Sequence, residues 1–223
     1  GAQIAYKFAQ NHDRLMITYH SNKEAAEKIQ EECLRQGASE IDILELDLTS
    51  DDSIEDAVKR VEGFGGIDIL INNAGTLLPG DLSSKNFEQI AAAMRTNLEG
   101  PIKLTSKLLP HIRLVIVNIG STLSKIGKRG RTVYCAGKWG LRGFTKALAK
   151  ESSLNIYQVN PGLTATKMGD YEGVLPEKVG EIVFNAAIGQ YGIKSGDDID
   201  VINYLPGHAW KRMLKKIFRR ASL

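Results

Sequence analysis

The chain has 223 residues, 43% of them hydrophobic and 25% charged, with a net charge of +3, which suits one well-buried domain and gives no overall electrostatic case for nucleic acid. No apolar run reaches the ~18 residues of a membrane span and no signal peptide is recognised, so a cytoplasmic protein is expected. Cys33 and Cys135 lie far apart and read as reduced thiols, and His12, His20, His111 and His208 form no pair at ligand spacing, so no metal site is expected.

Residues 1–9 read as the first turns of a helix with no strand before it. Residues 15–19 then read as a strand and 23–36 as a helix closed by Gly37. A second strand at 41–46 precedes a helix at 53–61, with capping chemistry from 51–53. A third strand at 67–71 leads to a helix at 87–109, and a fourth at 114–119 leads to a helix at 133–150. Residues 155–159 and 199–202 read as two more strands. Such apolar strands alternating with helices predict a single doubly wound α/β domain, a three-layer α/β/α sandwich with a mainly parallel sheet. The strands at 67–71 and 114–119 are expected at its buried centre. Residues 1–206 form the expected domain, followed by a tail at 207–223.

The stretch from Ser121 to Lys138 carries the chemistry. A serine ends a strand, and a tyrosine opens a helix that bears a lysine four positions later. Positions i and i+4 share a helix face, so Tyr134 and Lys138 point the same way. A free phenol, with a pKa near ~10, is a poor proton shuttle at neutral pH. A neighbouring ammonium favours the phenolate and makes the pair useful in acid–base work. Ser121 could hydrogen-bond an oxygen that gains charge. Alone, a tyrosine–lysine pair at this spacing is also common on exposed helices.

Its neighbours strengthen the signal. Asn72-Asn73-Ala74-Gly75 follows the third strand, Asn97 lies in the helix after it, and Ser121 stands thirteen residues before Tyr134. Asn160-Pro161-Gly162, then Thr166, follow the fifth strand, and Asp47 sits in Leu46-Asp47-Leu48. With these motifs the chain resembles the short-chain dehydrogenase/reductase family over almost its whole length, and Gly1 aligns with the last glycine of that family's T-G-x-x-x-G-x-G turn. The resemblance implies a Rossmann-like fold and hydride transfer between a nicotinamide and a carbonyl/alcohol pair, with 3-oxoacyl and small-ketone reduction as the alternatives. Tyr134 is then the general acid in reduction and base in oxidation, and Lys138 lowers its pKa and holds the nicotinamide ribose. Ser121 polarises the carbonyl, and Asn97 anchors a water. Asn72, Ala74, Gly75, Pro161, Gly162 and Thr166 line the cofactor cleft, Asp47 with Leu48 meets the adenine, and Gly1 meets the phosphates. The family also implies a homodimer or homotetramer, through the helices at 87–109 and 133–150, with Trp139, Phe144 and Leu148 supplying apolar surface.

Four features qualify this reading. The glycine turn and first strand implied by the resemblance are expected upstream of Gly1, in roughly a dozen or more residues; a naturally short chain that binds no dinucleotide is the alternative. After the second strand, His20, Ser21, Asn22 and Lys23 supply no carboxylate, which favours NADP over NAD, although the same residues also suit a polar turn and N-cap. The segment at 166–176 is short for a substrate lid, and the ending at 200–206 differs from the V-D-G-G of many acyl-carrier-protein reductases. The tail at 207–223 reads as a basic amphipathic helix, suited to packing on the protein or to contact with an anionic membrane. Its Arg219-Arg220-Ala221-Ser222 also resembles a basophilic kinase site. Against the oxidoreductase stands a nucleotide-sensing or scaffold protein of the same fold.

Overall fold

The computed structural model describes residues 1–205 and Gly207; the tail and its membrane and kinase readings lie outside the described residues. Seven helices of eight or more residues are described: α1 (Ala2–Ala9), α2 (Lys23–Arg35), α3 (Asp51–Gly63), α4 (Phe87–Met94), α5 (Gly100–Leu108), α6 (Thr132–Glu151) and α7 (Pro176–Ala187). Between them run β1 (Arg14–Tyr19), β2 (Glu40–Glu45), β3 (Ile67–Asn72), β4 (Ile112–Ile119), β5 (Asn155–Asn160) and β6 (Asp198–Asp200). Every strand pairing is parallel, as crossover helices require. The fold is Rossmann-like α/β.

The strands divide into a two-stranded sheet, β1-β2, and a four-stranded sheet, β3-β4-β5-β6. The two lie in one layer. Leu15 of β1 packs on the same apolar cluster as Ile69 and Ile71 of β3, and Met16 shares a second cluster with Ile67 and Leu70. The expectation of a buried centre holds for β4, where Val115, Ile116, Val117 and Ile119 are buried, but not for Leu114, which is exposed. It fails for β3. That strand is the edge of its sheet and half-buried, because β4 pairs it on one side only.

The first cluster places Ile4 and Phe8 of α1 and Val179, Ile182 and Val183 of α7 against Val117 and Val159. The second places Ile54 and Val58 of α3 and Leu104 and Leu108 of α5 against Ile116 and Ile156 on the opposite face. Helix starts follow their polar caps. Asn22 accepts from Ala25 N at 2.9 Å, Ser50 accepts from Ser53 N at 3.2 Å, and Asn86 with Gln89 forms a capping box. The helix expected at 87–109 is not uniform: a π-helical turn at Arg95–Glu99 separates α4 from α5. The strand expected at 199–202 is cut short after Asp200, where Val201–Tyr204 turns into 3₁₀ helix. Among the described residues no helix is long and apolar enough to cross a membrane.

Candidate active site

Four elements meet at the C-terminal ends of β3, β4 and β5. The π turn carries Asn97, almost completely buried, into contact with the loop after β3. Its Oδ1 accepts from Thr76 N at 2.9 Å and its Nδ2 donates to Thr76 O at 2.8 Å. Both ends of this amide are therefore engaged with the backbone, leaving one N–H and one lone pair for the water that the resemblance assigns to it. Gly75 lies beneath. A Cβ there would stand 3.1 Å from Asn97 Oδ1 and 3.4 Å from Lys138 Nζ, so glycine allows the loop its close approach.

Lys138 is 3% exposed, and its Nζ donates to the Ile119 carbonyl at the end of β4 at 2.7 Å. Burial depresses its pKa from 10.5 to about 8. Tyr134, one turn earlier, lies within electrostatic reach of the Ser121 side chain, with Lys138 Nζ 5.8 Å from its ring centroid. The phenol is not depressed, contrary to the sequence expectation. Burial raises it above the usual tyrosine value, and the Ser121 side chain only partly offsets this. The physical reason is that the ammonium is directed at a backbone carbonyl rather than at the phenol oxygen. Ser121 is buried, and its Oγ also accepts from Leu123 N at 3.1 Å. Asn97, Ser121, Tyr134 and Lys138 thus form one cluster.

The cofactor candidates divide in two. Gly1 opens α1 beside Asn73, where an added Cβ would stand 3.2 Å from Asn73 Nδ2, so it adjoins the loop of Asn72, Ala74 and Gly75. Asn72 itself is buried and donates to Thr105 Oγ1 at 2.9 Å and Asn118 Oδ1 at 2.8 Å, a bracing role rather than a free edge. Pro161 O accepts from Thr122 N at 3.0 Å, joining this loop to the segment of Ser121. Gly162 O accepts from Thr164 Oγ1 at 3.2 Å, and Thr166 O receives Gly169 N and Tyr171 N at 2.9 Å, folding the short lid back on itself. Met168, Tyr171 and Leu175 of that lid are exposed.

On the side of β1 and β2, His20 Nε2 stands 3.7 Å from Asp47 Oδ2. Asp47 Oδ1 accepts from the Thr49 backbone and hydroxyl, both at 2.8 Å, and these bonds hold its carboxyl below the usual aspartate range. Ser21 is exposed; the Asn22 side-chain oxygen caps α2 instead of facing open space, and the Leu48 side chain belongs to the core. Asn160, quoted in the sequence motif without a role of its own, and Gln158, outside the sequence-derived set, also belong to the site: Asn160 Oδ1 accepts from Ser121 N at 3.2 Å, and the fully buried Gln158 donates to Asn160 Oδ1 at 2.7 Å. The available signal for Gln158 is a long polar residue in mid-strand, between Tyr157 and Val159.

The residues present fit a nicotinamide nucleotide at the chemical end of the cleft. The buried Lys138 ammonium spends one donor on Ile119 and keeps two, which matches a diol. The chain belongs to the short chain dehydrogenase family, which it matches over residues 1–173. It is 36% identical over 157 residues to the 3-oxoacyl-acyl-carrier-protein reductase FabG of Haemophilus influenzae. That match covers 67% of this chain and 64% of the relative, so the chain spans just under two thirds of the relative's length. A short chain dehydrogenase from Burkholderia cenocepacia in complex with NADP superposes with a TM-score of 0.83 at 26% identity, covering 90% of both chains. The 3-oxoacyl-acyl-carrier-protein reductase of Brucella melitensis in complex with NAD gives 0.81 at 27%, again covering 90% of both.

Proposed function

We propose that this chain is an NAD(P)-dependent oxidoreductase that interconverts a carbonyl and an alcohol, reduction being the direction its site suits best. The observation that carries the reading is the convergence of Ser121, Tyr134, Lys138 and Asn97 beside Gly75. The nicotinamide, when bound, supplies the hydride. Tyr134 gives its proton to the substrate oxygen, and the burial that raises its pKa keeps that proton in place at neutral pH. Ser121 orients the carbonyl and stabilises the charge that develops on its oxygen. Lys138 holds the nicotinamide ribose with its two unspent donors. In the oxidative direction Tyr134 must act as a base, which its raised pKa makes harder until the cofactor or alkaline pH shifts the balance.

Substrate and cofactor follow from similarity and charge. The two 3-oxoacyl reductases above support a 3-oxoacyl thioester, while the short lid suits a small ketone equally well. NADPH is the favoured cofactor: Ser21 and Lys23, following β1, would receive its 2′-phosphate, and His20 stands beside Asp47 at the same end. The exposed Phe87 and Trp139 on α4 and α6 suit contact with a second copy, in a cytoplasmic homodimer or homotetramer. Leu148, by contrast, is core.

The decisive experiment measures NADPH binding and carbonyl reduction across a panel of 3-oxoacyl thioesters and small ketones. Tyr134→Phe keeps the ring and removes the proton, so binding survives while turnover falls about 10²–10⁴-fold. Unchanged turnover in the variant, or cofactor binding without turnover on any substrate, would promote the sensor reading instead.

A further inference from the structure

Gln158 sits in mid-β5 with no exposed surface, between the fully buried Ile156 and Val159. An unpartnered carboxamide there would be costly, so its partners indicate what it is for. Its Nε2 donates to Asn160 Oδ1 at 2.7 Å and to Ser124 Oγ at 3.1 Å, and its Oε1 faces the Thr145 hydroxyl at 3.4 Å. Asn160 Oδ1 also accepts from Ser121 N at 3.2 Å, and Ser124 Oγ donates to Ser121 O at 2.6 Å. Both main-chain groups of Ser121 are thus held by side chains that Gln158 grips.

The orientation of these amides is fixed by their partners. Asn160 meets a backbone N–H with its oxygen and donates with Nδ2 to Asp200 Oδ1 at 3.0 Å, so it cannot be reversed. Gln158 must therefore present its amino group to Asn160. Asp200 is clamped in turn by Lys125 Nζ, 2.8 Å from both carboxylate oxygens. The residue before Ser121 bears the imprint of this packing: a Cβ on Gly120 would collide with Asn160 Oδ1 and Gln158 Nε2.

We infer that Gln158 is a positioning residue for Ser121, its carboxamide locking Asn160 and Ser124 onto the serine and thereby setting where the hydroxyl stands against Tyr134. Its consequence for turnover rests on the oxidoreductase reading above; its effect on the turn does not. Misplacing a reacting group by about 1 Å can cost ~10²-fold in rate. Gln158 makes no direct hydrogen bond to Lys138 or the 72–75 loop, so the main effect should fall on kcat rather than on cofactor affinity.

The test uses Gln158→Met and Gln158→Glu in the full-length protein, with kcat, KM for NADPH, pH profiles, melting temperature and amide hydrogen exchange of residues 119–125. Gln158→Met, similar in length and apolar, should lose about 10–100-fold in kcat with a much smaller change in KM for NADPH, and should exchange faster at 119–125. In Gln158→Glu the introduced carboxyl faces Asn160 Oδ1, so it works as a neutral acid and fails when ionised. Turnover should then fall with rising pH in a step the wild type lacks, whereas a merely structural role would lower the melting temperature and add no step. Wild-type kcat and exchange in Gln158→Met, or a wild-type pH profile in Gln158→Glu, would overturn the inference. Should Gln158→Met fail to fold, the pH step of the second variant decides. If the wild type reduces no carbonyl at all, the functional reading fails, and exchange at 119–125 alone decides whether Gln158 holds the turn.

Discussion

In the four-stranded sheet, Ile116 and Val117 of β4 and Ile156 and Val159 of β5 have no exposed surface; in the two-stranded sheet, Ile41 is the one buried strand residue. The polar groups differ in the same way. Lys138, Asn97 and Ser121 are buried at the ends of β4 and the helices beside it, while His20 and Ser21 at the end of β1 are exposed. Proton chemistry needs the first environment, because only a dry, fixed setting shifts a pKa and holds a donor in place. Reading the adenosine end of a nucleotide needs only the second, in which solvated charge discriminates modestly.

The largest expected effect tests the packing side of this contrast. Ile116→Ala should lose about 2–5 kcal/mol of stability in urea unfolding, and Ile17→Ala on half-buried β1 about 1 kcal/mol. Equal losses would erase the difference between the sheets. The next concerns electrostatics. Burial lowers Lys138 from 10.5 to about 8, which corresponds to about 3 kcal/mol of destabilisation at neutral pH. Lys138→Met should therefore raise stability at pH 7 while abolishing turnover. Between pH 8 and 10.5 the folded protein sheds this proton before the unfolded chain does. The unfolded state then binds more protons, wild-type stability rises with pH, and the gap to the variant closes. A gap that stays constant from pH 7 to 10 would refute the assignment. The smallest effect belongs to the exposed side: Ser21→Asp should raise the KM for NADPH over that for NADH roughly ten-fold, or ~1.4 kcal/mol, and less at high salt. A shift as large as that of Tyr134→Phe would show that this rim is no adaptable surface.

Strands and the reactive helix are legible in the sequence because local signals agree there: apolar runs at 114–119 and 155–159, and a tyrosine and lysine at i and i+4. The proximity of Asn97, Ser121, Tyr134 and Lys138 follows from the family resemblance and is present in the structure. What is not legible depends on partners far along the chain. The edge position of β3 is decided by pairing, not by its own apolar residues. The upward shift of the Tyr134 phenol comes first from burial, and the Lys138 ammonium is spent on the Ile119 carbonyl; neither is written in the local spacing. Asn22 fits a phosphate reader and a helix cap equally on paper, and only the bond to Ala25 N separates the two. The helix α7 stands outside the expectations, although Val179, Ile182, Val183 and Ala186 repeat at helical spacing after Pro176.

The π turn at Arg95–Glu99 has a mechanical consequence. Successive residues of an α-helix advance by about 100° around its axis, so one extra residue within a single turn swings everything beyond it through that angle. The rod from α4 to α5 is therefore a crank: its first arm faces α6 and its second faces α3, and Asn97 is carried at the bend between them. Deleting a single residue from 95–99 would not shorten this rod so much as unwind it. One arm would have to leave its neighbour, and Asn97 would be rotated away from Thr76.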